Sequence, residues 1–231
     1  MNSVIILSSG MGTRMKAKKN KTLISLGRTP IIAHTVRCFH DHDMIDQIIL
    51  VVREEEMHVF AQIVEKYNLH KICSIVIGGS ERQYSAYNAL QWLEKNHHSK
   101  DDIVMFHNGA NPFVSYAEVV QVIVEARKHG ASAVAHPTKD TIKKVDKNGH
   151  VIETLDRSQL WNMQTPQAIR FDLAVKAFDH AHKNNYLGTD DVSLVEYLGK
   201  KVKIVHASDH NFKITTPHDL AIAKLVLRYN S

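Results

Sequence analysis

Cysteine is scarce: Cys38 and Cys73 are the only two in 231 residues, and they form neither a CxxC pair nor a zinc-ligand spacing. That excludes a disulfide framework and a structural zinc site, and leaves reduced, buried thiols as the expectation. Aromatics make up only 7% of the chain and do not cluster with its basic residues, so the base-stacking surface of a nucleic-acid binder is missing. Long apolar runs are missing too. The longest, Ile48 to Val52, is strand-sized, far short of the roughly 20 residues of a membrane span. The N-terminus runs apolar (Val4 to Leu7) before basic (Arg14, Lys16, Lys18, Lys19, Lys21), the reverse of a secretory signal, and the cytoplasm is the expected location. The 16 histidines are scattered and form no HExxH pattern, so no histidine metal site is indicated.

What is present is an ordinary globular balance, 44% hydrophobic and 23% charged, enough to bury a core. The length suits one domain over 1–231. The formal charge of +5 fits any anionic ligand, and it is concentrated just after a glycine-containing turn.

Apolar strands alternate with amphipathic stretches along the chain. Val4 to Leu7, Ile48 to Val52, Ser74 to Ile77, Ile103 to Phe106, Ser132 to His136 and Val202 to Val205 read as strands. Thr29 to His40, Glu54 to Tyr67, Ser85 to Lys95, Glu118 to His129, Phe171 to Lys183, Asp191 to Leu198 and Pro217 to Tyr229 read as helices. This alternation predicts an α/β fold, a Rossmann-like, mostly parallel sheet flanked by helices, with its site at the carboxyl ends of the strands. Thr141 to Asp156 breaks the rhythm: two alternating runs flank Asn148-Gly149, the signature of a β-hairpin. A hairpin inserted there is expected to leave the body as an arm, at about 139–157, and to find a partner surface in a homodimer.

The segment Leu7 to Met15 follows the first strand. Gly10 and Gly12 let the backbone turn amides toward a phosphate, with Arg14 and Lys21 nearby as cations. It is neither a Rossmann fingerprint, which needs glycine where Met15 stands, nor a P-loop.

Taken with Gly78 to Ser85, His107 to Pro112, Asp140 to Lys143, Leu155 to Arg157, Gln164 to Gln167, Thr189 to Asp191 and Asn211 to Thr215, this segment resembles the 2-C-methyl-D-erythritol 4-phosphate cytidylyltransferase family of isoprenoid synthesis, together with its ribitol-5-phosphate relatives. The resemblance runs nearly end to end. It implies a nucleotide-diphospho-sugar transferase type of fold and transfer of CMP from CTP to a polyol phosphate. It also implies Mg²⁺ as cofactor and a homodimer whose β-arm reaches the neighbouring site. Residue by residue, it implies Arg14, Lys21 and Lys213 as catalytic cations. Ser9, Gly10, Gly12, Gly78, Gly79, Arg82 and Ser85 would bind the nucleotide, and Thr141, Arg157, Thr165 and Asn111 would surround the acceptor.

The chain departs from the family where chemistry is expected. Asn108 stands where an aspartate binds magnesium, so a weaker metal site is expected there, and Asn111 stands where an arginine meets the acceptor. Ser8-Ser9 replaces Ala-Ala, and Asn20-Lys21-Thr22 replaces Pro-Lys-Gln. The leading expectation is an active cytidylyltransferase for methylerythritol phosphate. The alternatives are a ribitol-5-phosphate or other polyol-phosphate enzyme, a sugar-phosphate transferase using another nucleotide, and a non-catalytic nucleotide-binding homologue.

Overall fold

The apolar strand runs line up in one seven-stranded sheet in the order β11-β7-β10-β6-β1-β4-β5. A computed structural model describes residues 1–10, 20–96 and 99–229. In chain order the strands are β1 (Asn2–Leu7), β2 (Ser25–Leu26), β3 (Thr29–Pro30), β4 (Gln47–Val52), β5 (Ile72–Ile77), β6 (Ile103–Asn108), β7 (Ala131–Pro137), β8 (Lys143–Val145), β9 (Val151–Thr154), β10 (Trp161–Arg170) and β11 (Lys203–His206). The helices are α1 (Ile31–His40), α2 (Met57–Lys66), α3 (Arg82–Lys95), α4 (Tyr116–His129), α5 (Phe171–Lys183), α6 (Val192–Tyr197) and α7 (Pro217–Tyr229). Every neighbouring pair in the large sheet is parallel except those of β10, which runs antiparallel to β6 and β7. The expected mostly parallel α/β sheet is the observed one.

Strand alternation explains why helices cover both faces. Val4 and Ile6, Ile48, Leu50 and Val52, and Ile103 and Met105 meet α1, α2 and α4 on one side. Ile5, Ile49, Val51, Val104 and Phe106 meet α3, α5 and α6 on the other. A third, smaller cluster seats α7 on the β2–β3 hairpin through Leu26, Ile31, Ile214 and Ala223. The two-residue turn of that hairpin places Gly27 at φ +66°, a conformation open to glycine and costly to other side chains.

The sequence reading missed β10. Its polar residues and Pro166 hide the alternation, and its pairing with β7 shifts register between Met163 and Gln167. Two helices begin earlier than their apolar spacing shows. The first turn of α3 is polar, and α4 starts at a capping box in which Ser115 and Glu118 each bond the other's backbone. The thiols also differ from expectation. Cys38 is half-buried, and burial pushes it up to about 12, whereas Cys73 is exposed on edge strand β5 rather than buried.

The predicted hairpin is present as β8 and β9, a two-stranded sheet of its own with every residue exposed. Its turn is built on Asp146, whose carboxylate accepts from the backbone N–H of Asn148 and His150, each at 2.9 Å. Gly149 supplies the positive φ of +87°.

At the buried centre, Phe106 stacks on Phe178 with centroids 5.2 Å apart. Phe106→Ala is expected to cost about 3–5 kcal/mol, read as a lower urea midpoint at unchanged slope. A midpoint near wild type would show that the site collapses around the smaller side chain.

Candidate active site

The ladder of the sheet carries the chain past the strand ends before it turns. Ser8 N donates to Val51 O at 2.8 Å, Gly78 N to Val52 O at 2.8 Å and Gly109 N to Leu7 O at 2.9 Å. Above these ends opens a cleft of about 320 Å³, where Ser9, Gly10, Lys21, Gly79, Arg82, Ser85, Asn108 and Lys213 come together. Gly12 and Arg14 lie outside the described residues.

Lys21 enters the cleft from a short 3-10 turn that is clamped from behind. Asn20, 1% exposed, donates from Nδ2 to Ser8 O at 2.6 Å and to Glu56 Oε2 at 2.8 Å. Its Oδ1 accepts from Thr22 N at 3.1 Å and Thr22 Oγ1 at 2.9 Å. With its proton so placed, Thr22 Oγ1 accepts from Ser8 Oγ at 2.6 Å. Glu56 is held in turn by Arg53, through Nε at 3.1 Å and a second guanidinium nitrogen. Ser8, Asn20 and Thr22, three of the residues expected to differ from the family pattern, form one hydrogen-bonded unit.

The nucleotide-binding candidates form a tightly closed floor. A Cβ at Gly78 would come within 2.7 Å of Ser9 and 2.8 Å of Ser85 Oγ, and one at Gly79 within 2.6 Å of Tyr84 Cβ. No side chain fits at either glycine without displacing its neighbours. Ser85 Oγ accepts from Gly79 N at 3.0 Å and donates to Glu81 O at 3.0 Å, with Ser9 Oγ also 3.0 Å away. The serines fix the turn's shape.

Arg82 is held by a partner the sequence reading did not assign. Two of its guanidinium nitrogens donate to the Asp191 carboxylate at 2.8 and 2.6 Å, and Asp191's side chain is 1% exposed. Burial pushes the guanidinium pKa down, but the charge and hydrogen bonds of Asp191, helped by Asp190, outweigh it and raise the value. Removing Asp191 would leave the Arg82 guanidinium, 32% exposed at the cleft, without its carboxylate partner. Gln167 on β10 holds this loop: its Oε1 accepts from Asp191 N and Val192 N at 3.0 and 3.1 Å, and its Nε2 donates to Asp190 at 2.8 Å. Gln167 and Asp191 both lie in motifs that carry the resemblance, Gln164 to Gln167 and Thr189 to Asp191, but nothing in either motif pointed to Arg82.

Lys213 is carried between two anchors. Ile214 is fully buried, and its N–H donates to Ala110 O at 2.9 Å. Asn211, also fully buried, donates from Nδ2 to Glu118 Oε1 at 3.0 Å and to Thr165 O at 2.9 Å. Glu118 therefore caps α4, accepts from Ser208 N at 3.0 Å and holds the Lys213 segment at once.

Asn108 faces the cleft with Oδ1 3.4 Å from Arg82 Nε, and its N–H donates to Thr165 Oγ1 at 3.3 Å. Thr165, 3% exposed, supports the floor instead of lining the cleft. Asn111 is fully buried and outside the lining; its Nδ2 points to Asn211 Oδ1 at 3.4 Å and its Oδ1 has no hydrogen-bond partner among the described residues. Thr141 and Arg157 stand at the base of the hairpin, exposed and away from this cleft, with Arg157 donating to Lys139 O at 3.0 Å.

Beneath the cleft, fully buried His107 sits 3.0 Å from Asn111 O through Nε2, which assigns the proton to that nitrogen and leaves Nδ1 unpartnered among the described residues. Burial, with the charges of Lys213 and Arg82, lowers its pKa to about 4. A histidine with a depressed folded pKa favours folding while neutral and takes up a proton more readily when unfolded. Its contribution is therefore complete above about pH 6.5 and is lost as pH falls toward 4, by about 3 kcal/mol at most. The imidazole resonances of His107 should stay neutral down to about pH 5; titration near 6.5 would contradict this burial.

The comparisons agree with this geometry. A sequence model described as 2-C-methyl-D-erythritol 4-phosphate cytidylyltransferase matches residues 2–229. Enzymes of that name from Bacillus cereus and Geobacillus thermodenitrificans are each 44% identical to this chain. The first aligns over 99% of this chain and 98% of its own, the second over 96% and 95%. A 4-diphosphocytidyl-2C-methyl-D-erythritol synthase from Anaerococcus prevotii superposes with a TM-score of 0.84 at 31% identity, covering 98% of this chain and 96% of its own. The Francisella tularensis 2-C-methyl-D-erythritol 4-phosphate cytidylyltransferase superposes with a TM-score of 0.81 at 31% identity, covering 97% and 98%. Matched from end to end, and with eight of the motif residues gathered at one cleft, this chain belongs to the 2-C-methyl-D-erythritol 4-phosphate cytidylyltransferase family.

Proposed function

We propose that this protein transfers CMP from CTP to the phosphate of 2-C-methyl-D-erythritol 4-phosphate, a step of isoprenoid precursor synthesis. The observation that carries the reading is the convergence of Lys21, Arg82 and Lys213 on one cleft at the strand ends. A phosphate oxygen of the acceptor attacks the α-phosphorus of CTP, and the bond from that phosphorus to the oxygen bridging the β-phosphate breaks. The electron pair leaves with pyrophosphate. Charge grows on the equatorial oxygens and on the leaving group, where fixed cations stabilise it without reorganisation. Lys21 and Lys213 act there as catalytic residues, the role that the family resemblance also gives to Arg14. The closed floor of Ser9, Gly78, Gly79 and Ser85 favours a single-ring base. Neutral His107 leaves the positive charge to the residues that face the substrate.

The donor set bears on the metal. Asn108 offers one neutral oxygen, already turned toward Arg82, and among the described residues no three His, Cys, Asp or Glu side chains stand together as ligands. Such a set fits magnesium carried mainly by the triphosphate oxygens, where it neutralises phosphate charge, with Asn108 as a minor ligand. The exposed apolar side chains Val145, Val151 and Ile152 on the hairpin support a homodimer joined through this arm, with Thr141 and Arg157 serving the partner's acceptor site. Among the described residues no helix is long and apolar enough to cross a membrane. A cytoplasmic location accords with two unpaired thiols.

Pyrophosphate release from CTP and Mg²⁺ should require methylerythritol phosphate, and Lys21→Ala should lower kcat about a hundredfold or more. Release that follows ribitol phosphate instead would transfer the reading to that branch, and CTP binding without release would make the protein a nucleotide-binding homologue. Asn108→Asp should lower the magnesium concentration that gives half-maximal rate. An unchanged titration would place Asn108 away from the metal.

A further inference from the structure

Behind the Lys21 turn, on the side away from the cleft, lies a second cavity of about 520 Å³, within the range of small-molecule sites. Its walls have two characters. Arg28, Arg53 and Lys66 supply positive charge, and Leu23, Val59, Ile63 and Tyr67 supply an apolar surface. Arg28 stands on the tip of the β2–β3 hairpin, next to Gly27, and no carboxylate pairs with it among the described residues. Lys66 Nζ lies 5.5 Å from the Tyr67 ring centroid, its only recorded interaction among those residues. The one acid in the cavity's lining, Glu56, belongs to the turn before α2, beside Glu55. Glu56 is committed to Asn20 and Arg53, and Glu55 meets Arg53 at 3.0 Å from a position 65% exposed, where an ion pair is weak and readily displaced. The local balance favours an anion.

The same wall touches the catalytic frame. Arg53 and Glu56 line this cavity, Glu56 holds Asn20, and Asn20 holds Ser8 and Thr22 on either side of Lys21. One continuous set of hydrogen bonds joins the two sites. We propose that the second cavity binds a small amphiphilic anion, a phosphate or carboxylate on a compact apolar or aromatic body, and that its occupancy weakens CTP binding through Arg53, Glu56 and Asn20. An anion drawn between Arg28 and Lys66 competes for Arg53. Glu56, 8% exposed, is then left to Asn20 alone, and the clamp behind Lys21 shifts.

The binding part is independent of the proposed cytidylyl transfer; the kinetic part rests on it, and the two are read separately. Phenyl phosphate is titrated calorimetrically into the intact protein without CTP, with benzoate and inorganic phosphate as parallel arms, and again into an Arg28→Ala/Lys66→Ala double variant. Both changed side chains are outside the cleft. Phenyl phosphate should bind the wild type and bind the double variant at least tenfold more weakly. Inorganic phosphate should bind more weakly than phenyl phosphate, and the benzoate arm decides whether a carboxylate suffices. In turnover assays, saturating phenyl phosphate should raise the KM for CTP about fivefold in the wild type and leave the double variant unmoved. Equal binding to both proteins, or none to the wild type, overturns the site. Binding that is lost in the variant while KM stays constant overturns the coupling.

Discussion

Lys21, Arg82 and Lys213 repel one another across a single cleft, and the surrounding structure is organised to hold them there. Three like charges gathered in partly excluded water push apart, so each must be fixed by its own support. Arg82 has a buried carboxylate. Lys21 sits on a turn pinned by Asn20 and Thr22 against Ser8 and Glu56. Lys213 is carried between buried Asn211 and Ile214. These supports come from different elements: the loop before α6, the turn before α2, and the first turn of α4. The sheet's task is to bring those elements to the same edge. His107 obeys the same constraint, since one more positive charge beneath the cleft would add to the repulsion, and burial keeps it neutral.

The fold was legible wherever burial on both faces left an uninterrupted apolar run, as in β1, β4 and β6. It was illegible at β10, whose polar half serves the cleft rather than the core. Thr165 floors the site and Gln167 holds the loop before α6, and such polar use erases the period of two on which strand reading depends. Cys73 was misjudged for a related reason. A thiol within an apolar run reads as buried, yet β5 is an edge strand and its side chains are covered unevenly.

The cleft itself was partly legible. Ser9, Gly10, Lys21, Gly79, Arg82, Ser85, Asn108 and Lys213 were named from motifs and share one cavity. The pairings that hold them were not, because the partners are distant in sequence: Asp191, although within the Thr189 to Asp191 motif, stands 109 positions from Arg82, and Glu56 stands 36 from Asn20. A carboxylate at such separation carries no local signal. Ser8, Asn20 and Thr22, separate departures in the sequence, meet in one hydrogen-bonded unit that their spacing along the chain does not reveal. A proline at position 20 could supply neither the amide donors nor the side-chain acceptor that the present arrangement uses.

Glu118 caps α4 and also holds Asn211, the anchor of the Lys213 segment, and this ties two events that look separate. If the first turn of α4 frays, the carboxylate leaves Ser208 and Asn211 as well, and the lysine loses its place. The start of a helix and a stretch of chain 90 residues further on thus open and close as one cooperative unit.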